Sequence, residues 1–179
     1  LAENAAASIR FQGGNNAGHT VVNDFGTFKL HQLPSGIFNK DCIAVLGPGM
    51  VISPAELSKE IAEVKATGIT PTLCISDRAT LCLPLHALED TLEEERLGDA
   101  AYGSTRQGIS PAYGDRVMKK GILVGWLNQP EVLQERIQFM LDWKMPQLRA
   151  LYPTCDFKQT AAEMTAWLLS VTATWRPFI

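Results

Sequence analysis

Residues 42–75, CIAVLGPGMVISPAELSKEIAEVKATGITPTLCI, form the segment that decides the fold class. The run from Cys42 to Leu46 is uninterrupted and apolar, which is typical of a strand buried on both faces. Leu73 to Ile75 is a second run of the same kind. A helical pattern lies between the two. The order strand, helix, strand predicts an α/β unit with parallel strand pairing.

The helix inside this segment is marked at both ends. We expect Ser53 to be the N-cap, with Pro54 at the first helical position and Glu56 closing a capping box. Gly68 is the expected stop at the C-terminal end. The predicted inner stripe consists of Leu57, Ile61 and Val64.

Further elements extend from this unit in both directions. Leu1 to Ala6 has the character of the end of a helix. The sequence begins with Leu1 and not with an initiator Met, so we expect further sequence upstream. The other predicted strands are Ser8 to Phe11, Phe28 to Leu33 and Ile122 to Val124. The other predicted helices are Leu85 to Leu97, Gln129 to Lys144 with Asn128 as its cap, and about Lys158 to Thr174, with Pro146 and Pro153 in the link between the last two. The predicted fold class is α/β, with a mixed, largely parallel sheet and flanking helices.

Composition limits the function classes. The chain has 179 residues, 46% of them hydrophobic, which is enough to bury the core of one domain. A net charge of −3 gives no basic excess for a nucleic acid or an anionic membrane, and neither partner is expected. The four cysteines form no C-x-x-C pair, which favours a reducing compartment. The most apolar window, Ala161 to Trp175, is interrupted by Glu163, so no spanning helix is expected and we predict a cytoplasmic protein.

The most unusual local stretch is GGNNAGHT, from Gly13 to Thr20. Glycines allow successive backbone amides to converge on an anion, asparagines add neutral donors and acceptors, and His19 can carry a proton at neutral pH. These properties suit an anionic ligand rich in hydrogen-bonding groups. Asn and Gly are also ordinary turn residues and a lone His is often structural, so a plain turn remains an alternative. The loop lacks the Walker A lysine.

A second unusual loop, YGSTRQGISPAY, runs from Tyr102 to Tyr113. The acidic helix before it, with Glu89, Asp90, Glu93, Glu94 and Glu95, is most simply a solvated face. His86 on that helix is expected at the surface, and His31 in KLHQLPSG is expected to be a structural histidine of a strand.

Four blocks in this order resemble adenylosuccinate synthetase. They are RFQGGNNAGHTVV, KLHQLPSGI, LGPGMVISP and YGSTRQGISPAYGDR, and together they extend from Ile9 to Lys120. The family pattern is G-G-x-N-A-G-H-T, H-x-L-P-S-G, G-x-G-x-x-x-x-P and G-T-T-G-R-G-I-G-P-A-Y. The resemblance implies a GTP-dependent ligase that joins L-aspartate to IMP through a 6-phosphoryl intermediate, with Mg²⁺ as cofactor, in purine nucleotide biosynthesis.

The resemblance also assigns roles to individual positions. His19 is implied as the catalytic acid near the GTP phosphates, Thr105 as the holder of the IMP 5′-phosphate, and Lys119 as the residue that reaches the IMP phosphate of the other subunit in a homodimer. The implied contacts are, for IMP, Asn16, Ala17, Gly18, His19, Thr105 and Lys119; for GTP, Gly18, His19 and Thr20; and for Mg²⁺, the carbonyl of Gly18.

The chain departs from the family pattern in several ways. The implied phosphate loop with the catalytic aspartate belongs upstream of Leu1, and the guanine and aspartate sites belong after Ile179. The chain is therefore expected to be an incomplete portion of a larger P-loop-NTPase-like synthetase domain, inactive by itself. Residues 1–179 are read as one incomplete domain, with a phosphate-loop region at 8–50, a second phosphate loop at 102–120 and a helical part at 128–179.

Three substitutions leave alternatives open. The family's Gly-Arg is Arg106-Gln107 here, Ser110 replaces a glycine, and an arginine is replaced by Lys119, which keeps the charge but loses bidentate geometry. One alternative is a non-catalytic paralogue that binds a nucleotide or dimerises. The other is a ligase acting on a related purine nucleotide.

Overall fold

The structure is a computed structural model, and it describes residues 4–179. The main sheet is four-stranded and parallel, with the long strand β4 at its centre. Strand β4 pairs with β1 and also with β5 near its start and β6 at its end. A separate antiparallel hairpin consists of β2 and β3. The strands are β1 (Ala7–Gly13), β2 (His19–Asn23), β3 (Gly26–Leu30), β4 (Ile43–Ile52), β5 (Leu73–Ile75) and β6 (Thr80–Leu81).

Helices cover this sheet, and all but one of them contribute to its main apolar core; the helix that carries Ala112 packs in a smaller cluster with Val51 and Cys82. They are α1 (Pro54–Ala66), α2 (Pro84–Leu97), α3 (Ile109–Val117), α4 (Pro130–Leu151) and α5 (Ala161–Val171), with short 3₁₀ turns at Ser35–Phe38, Gly98–Ala100, Val124–Asn128 and Arg176–Phe178. The mixed, largely parallel α/β fold predicted from the sequence is confirmed.

Helix α1 forms as its sequence predicts, with one exception. Its stripe of Leu57, Ile61 and Val64 is buried, and Gly68 follows the C-cap with φ of 86°. The predicted capping box is wrong, because the Ser53 side chain makes no cap hydrogen bond. Instead, the Gln32 carboxamide bonds the Ser53 backbone, donating to its carbonyl at 3.0 Å and accepting from its N–H at 2.8 Å. A side chain that is distant in sequence therefore occupies this helix start.

Two strands differ from their predicted extent. Strand β4 continues through the Gly-Pro-Gly segment to Ile52, and the register of β1 against it shifts between Arg10 and Gln12, a bulge that accommodates Pro48. Ile43 is 43% exposed, so β4 is not buried on both faces at its start. The strand expected at Phe28 to Leu33 ends at Leu30, because the backbone amides of residues 31–33 bond the Glu60 carboxylate.

The C-terminal part also differs from expectation. The segment predicted as a strand at Ile122 to Val124 forms only an isolated bridge between Leu123 and Thr80 before a 3₁₀ turn. Helix α4 has Gln129 as its N-cap and continues through Pro146, where burial of the neighbouring turn against the core outweighs the lost backbone hydrogen bond. Of the helix expected at Leu1 to Ala6, residues 1–3 lie outside the described part, and residues 4–6 form a turn and a bend. Within residues 4–179, no helix combines the length and apolarity needed to cross a membrane.

Candidate functional site

The first loop is shorter than the sequence predicts. Residues 14–18 connect β1 to β2, whereas Gly13 ends β1 and His19 and Thr20 begin β2. His19 joins the strand because it pairs with Leu30 at the end of the hairpin. Residues 16–18 of the loop are exposed, and Asn15 is buried. The exposed part of the loop is therefore the part assigned to IMP by resemblance.

The turn after β3 supports the first loop from behind. The Glu60 carboxylate accepts hydrogen bonds from the backbone N–H groups of His31 at 2.6 Å and Leu33 at 2.8 Å, as well as Gln32. The His31 ring lies against Gly18, where a Cβ atom would lie 2.8 Å from ring atoms. A larger residue at position 18 would therefore have to displace the His31 ring. His31 lies in this turn and not in a strand, which corrects the expectation.

A positive charge lies beside the first loop. The Arg10 guanidinium, half-buried on β1, donates from Nη2 to the Gly14 carbonyl at 2.9 Å. Burial, together with this charge, lowers the pKa of His19 below its usual value, while Glu60 opposes the shift. Neutral imidazole is therefore the main form of His19 at pH 7, so its predicted proton at neutral pH requires an anionic ligand to raise the pKa. The His19 Nε2 atom is buried and has no hydrogen-bond partner among the described residues.

The second loop lies on helix α2. Glu94 accepts hydrogen bonds from the backbone N–H groups of Tyr102 at 3.1 Å and Gly103 at 3.0 Å. Asp90 accepts from the Ser104 hydroxyl at 2.6 Å and the Gly108 N–H at 2.9 Å. The prediction of a solvated acidic face is wrong for both carboxylates, which are only 9% and 6% exposed for Asp90 and Glu94. They are buried because their partners are the backbone amides and hydroxyl of the loop.

Two backbone positions fix the shape of this loop. Gly108 has φ of 74°, and a Cβ atom there would lie 2.4 Å from the Ala87 nitrogen, so the loop can lie directly on α2. Arg106 has φ of 57°, a left-handed conformation that costs a non-glycine residue about 1 to 2 kcal/mol. The Arg106 N–H donates to the Ser104 hydroxyl oxygen at 2.9 Å. Thr105 lies between these residues with an exposed side chain.

The two loops contact each other. Asn15 Nδ2 donates to Gln107 Oε1 at 2.8 Å, which leaves Asn15 Oδ1 buried without a partner among residues 4–179. The Gly13 N–H donates to the Tyr113 hydroxyl at 2.9 Å, and that hydroxyl donates to the Gly49 carbonyl at 2.8 Å. The loops that the sequence singled out separately therefore form one continuous surface.

Three of these linking residues, Arg10, Gln107 and Tyr113, were not identified from the sequence as site residues, whereas Asn15 was singled out with its loop. All of them lie inside the blocks that carry the resemblance, so the blocks were a usable signal. What the pattern does not reveal is which of its side chains bond each other across the two loops.

Behind the second loop is a buried charged network that connects α2, α3 and α4. The Leu83 N–H donates to His86 Nδ1 at 2.9 Å, so Nε2 carries the ring hydrogen and donates to Asp115 at 3.0 Å. Lys144 Nζ lies 3.0 Å from Asp115 and 2.5 Å from Glu89. Burial by itself raises the pKa of Asp115, but the His86 hydrogen bond and the Lys144 charge outweigh it and lower the pKa. His86 is fully buried, which corrects its predicted surface position.

Lys119 and Thr105 flank opposite ends of α3. Thr105 precedes the helix, whereas Lys119 follows it, is exposed, and has φ of 61°. The nine residues of α3 between them span roughly 13 Å along the helix axis.

A sequence model of the family "Adenylosuccinate synthetase" matches residues 1–177. The chain is 88% identical over 179 residues to "Adenylosuccinate synthetase 2" of Pseudoalteromonas translucida, and all of it aligns with 43% of that protein. It is 45% identical over 153 residues to an adenylosuccinate synthetase of Dehalococcoides mccartyi, covering 85% of this chain and 36% of that one. The chain thus spans less than half the length of these curated relatives.

Solved structures show the same likeness. The fully ligated adenylosuccinate synthetase from Plasmodium falciparum superposes with a TM-score of 0.78 at 28% identity, covering 99% of this chain and 41% of that one. The succinoaminodeoxyadenylate synthetase of cyanophage S-2L, bound to dGMP and dATP, gives a TM-score of 0.50 at 29% identity over 63% of this chain and 30% of that one. The folded core described above is therefore shared with enzymes that are more than twice as long.

Proposed function

The chain belongs to the adenylosuccinate synthetase family, and from this premise we propose that it supplies part of the active site of a GTP-dependent ligase that joins L-aspartate to IMP. The observation that carries the proposal is the joined surface of the two loops, bonded through Asn15 and Gln107. Two polar atoms of the first loop and of the strand start beside it, Asn15 Oδ1 and His19 Nε2, are buried without partners in the described chain. Because such atoms are costly unless bonded, they favour a polar ligand at the first loop.

In this proposal the exposed part of the first loop binds IMP. Asn16, Ala17 and Gly18 face the nucleotide, and His19 lies at the start of the adjoining strand. The Thr105 hydroxyl, exposed on the second loop, holds the 5′-phosphate. A hydroxyl is a suitable donor to phosphate, and the nearby Arg10 charge favours anions at the first loop.

Lys119 belongs to a different part of the proposal. Its position at the far end of α3 suits a contact with the IMP phosphate of a second copy of the chain, so we propose that the protein acts as a homodimer. The exposed Val117 and Met118 beside it, at 78% and 50% exposure, are consistent with a covered surface there.

The proposed GTP contacts are Gly18, His19 and Thr20, which lie together where the first loop enters β2. The Gly18 carbonyl is the proposed Mg²⁺ ligand, and a carbonyl oxygen in an exposed loop is a hard donor of the kind this ion takes. When bound, Mg²⁺ supplies charge neutralisation for the GTP phosphates. We assign no other residue of this chain as a Mg²⁺ ligand.

The proposed reaction has two stages. The 6-oxygen of IMP attacks the γ-phosphorus of GTP, the bond to the β–γ bridging oxygen breaks and GDP leaves. The aspartate amine then attacks C6 of the 6-phosphoryl intermediate, displaces phosphate and loses a proton. Phosphoryl transfer depends mainly on positioning and on stabilising charge, and a protonated His19 Nε2 does the latter by donating to a phosphoryl oxygen. The base that takes the N1 proton of IMP is expected upstream of this chain.

We assign a separate role to each of three regions of the chain. Residues 8–50 carry the IMP and GTP phosphate loop, residues 102–120 carry the second phosphate loop, and residues 128–179 form a helical part that packs behind them. We propose one incomplete domain over residues 1–179, working in the cytoplasm on IMP, GTP and L-aspartate.

The test is aspartate-dependent phosphate release from GTP and IMP by the full-length protein, meaning the polypeptide in which this chain occurs with any segments that flank it. His19→Asn should retain IMP binding while turnover falls at least about a hundredfold, as is usual for loss of a general acid. Turnover unchanged in His19→Asn would contradict the assigned role. IMP binding without any turnover in the wild type would favour the non-catalytic alternative.

One observation favours a second candidate, a ligase for a related purine nucleotide. The residues that differ from the family pattern, Arg106 and Gln107, lie directly beside Thr105 in the second loop, and Gln107 bonds Asn15 of the first loop. The structural likeness to the cyanophage enzyme, solved with dGMP, makes dGMP the compound to compare. A higher kcat/KM with dGMP than with IMP would replace the first candidate with the second.

A further inference from the structure

We propose that Asp90 and Glu94 are positioning residues that hold the second loop in the shape that receives the nucleotide phosphate. This inference rests on the proposed function and names residues beyond those that contact the nucleotide. The two carboxylates are four residues apart on α2 and therefore lie on one face of the helix, beneath the loop.

Hydrogen bonds attach the loop to both carboxylates. The two carboxylates accept four hydrogen bonds at 2.6 to 3.1 Å, three from backbone N–H groups and one from the Ser104 hydroxyl. The bonded amides belong to Tyr102, Gly103 and Gly108, so both ends of the loop are attached to the same helix. Each carboxylate is buried, which strengthens these bonds and makes their loss costly.

Ser104 lies between the two attachment points of the loop. Ser104 donates its hydroxyl hydrogen to Asp90 and accepts the Arg106 N–H at 2.9 Å. Asp90 therefore orients the hydroxyl that holds Arg106 in its left-handed conformation. Thr105 lies between these two residues, so the direction of its side chain depends on the same bonds.

The hydrogen bonds within the loop limit the groups that a ligand can use. The amides of Tyr102, Gly103 and Gly108 point inward to carboxylates, and the amide of Arg106 points to Ser104. A phosphate on the outer side of the loop cannot use these four amides. The exposed side chains of Thr105 and Arg106 are the groups that we assign to it.

The charge of the two carboxylates and their hydrogen bonds to the loop have opposite effects on the affinity for a phosphate. Negative charge beneath the loop weakens the binding of a phosphate, so removing it would tighten binding if charge were its main effect. Removing it would loosen binding if positioning were the main effect. The proposal commits to the second result.

The experiment uses isosteric variants of the full-length protein. In Glu94→Gln, both partners are N–H donors, so the new amide NH₂ must face one of them and a hydrogen bond is lost. In Asp90→Asn, the amide can donate to the Ser104 oxygen and still accept from the Gly108 N–H. The matched control is Glu95→Gln, which removes the same charge from an exposed position on the same helix.

We expect Glu94→Gln to raise the KM for IMP about tenfold, the size of one buried donor left unbonded, with kcat at saturating IMP and the KM for GTP changed less than about twofold. Asp90→Asn should raise the KM for IMP less than Glu94→Gln does, and Glu95→Gln should not change it. Faster hydrogen exchange at the amides of residues 102 and 103 in Glu94→Gln should accompany the KM change.

The opposite results overturn the inference. An IMP KM that is unchanged or lowered in Glu94→Gln would show that the carboxylate does not position the loop for phosphate. An equal rise in the KM values of IMP, GTP and aspartate would show a general loss of structure. A wild-type protein that binds no IMP would overturn the proposed function as well, whereas a binding wild type with an unaffected variant would overturn this inference alone.

Discussion

Lys144→Met should destabilise the protein more than any change at an exposed lysine. The substitution keeps most of the apolar stem of the side chain and removes its charge. Lys144 is 4% exposed and pairs with Asp115, which is 2% exposed, and with Glu89, which is 24% exposed. Asp115 would then remain buried with only the His86 hydrogen bond as compensation.

The magnitude follows from these exposures. Removing one member of a buried ion pair costs about 3 to 5 kcal/mol, because the other charge is left without its partner in a poorly solvated place. Glu89 can regain water, and Asp115 keeps one donor, so the lower end, about 3 kcal/mol, is expected. Lys158 pairs with Asp156 at 82% and 67% exposure, and Lys158→Met should cost less than about 1 kcal/mol.

The assay is urea unfolding of both variants and the wild type, followed by tryptophan fluorescence at pH 7. Adding Asp115→Asn to Lys144→Met should recover part of the loss, since it removes the unpaired charge. A loss for Lys144→Met no larger than for Lys158→Met would refute the reasoning, because it would mean that the network is not sequestered from water.

Three further predictions concern pH and the second loop. Because burial and Arg10 lower the pKa of His19, GTP binding should be accompanied by proton uptake near pH 7. The uptake would be measured as a dependence of the binding heat on the ionisation enthalpy of the buffer, and His19→Asn should abolish it. Equal uptake in the variant would assign the proton to another group. The pKa of Asp115 is lowered on folding, so its stabilisation is present above its unfolded value, about 3.9, and is lost as pH falls through the lower folded value. The difference in unfolding free energy between wild type and Asp115→Asn should therefore shrink below about pH 4, and a difference that is constant from pH 6 to 3 would contradict this. Arg106→Gly should raise the free energy of unfolding by up to about 1 kcal/mol, because glycine adopts the left-handed conformation without strain, and it should raise the KM for IMP. A lower free energy of unfolding would show that the conformation is not strained. An unchanged KM would show that the guanidinium does not contribute to IMP binding.

Local signals made part of the fold predictable from the sequence. Helix α1 forms between Pro54 and Gly68 because proline at its start and a left-handed glycine after its end are local requirements. The glycine-rich loop was recognisable for the same reason. Its boundary was wrong because His19 joins β2 by pairing with Leu30, which is eleven residues away and not signalled by the local composition.

The supporting carboxylates could not be predicted in the same way. The partners of Glu60, Asp90 and Glu94 are backbone amides of other segments. Because every residue except proline has a backbone N–H group, the sequence pattern does not show which residues are the partners. In a run of acidic residues each carboxylate resembles a solvated one. His86 was misplaced for the same reason, since its partner Asp115 lies on another helix.

A catalytic role for the two loops is tested most directly by phosphate release from GTP by the full-length protein, measured in wild type and His19→Asn. The release is measured with IMP and aspartate together and with each left out. We expect release that requires both co-substrates and falls at least about a hundredfold in the variant, with IMP binding retained. Release that does not require IMP, or that continues at the wild-type rate in His19→Asn, would contradict the claim that these two loops form a catalytic nucleotide site.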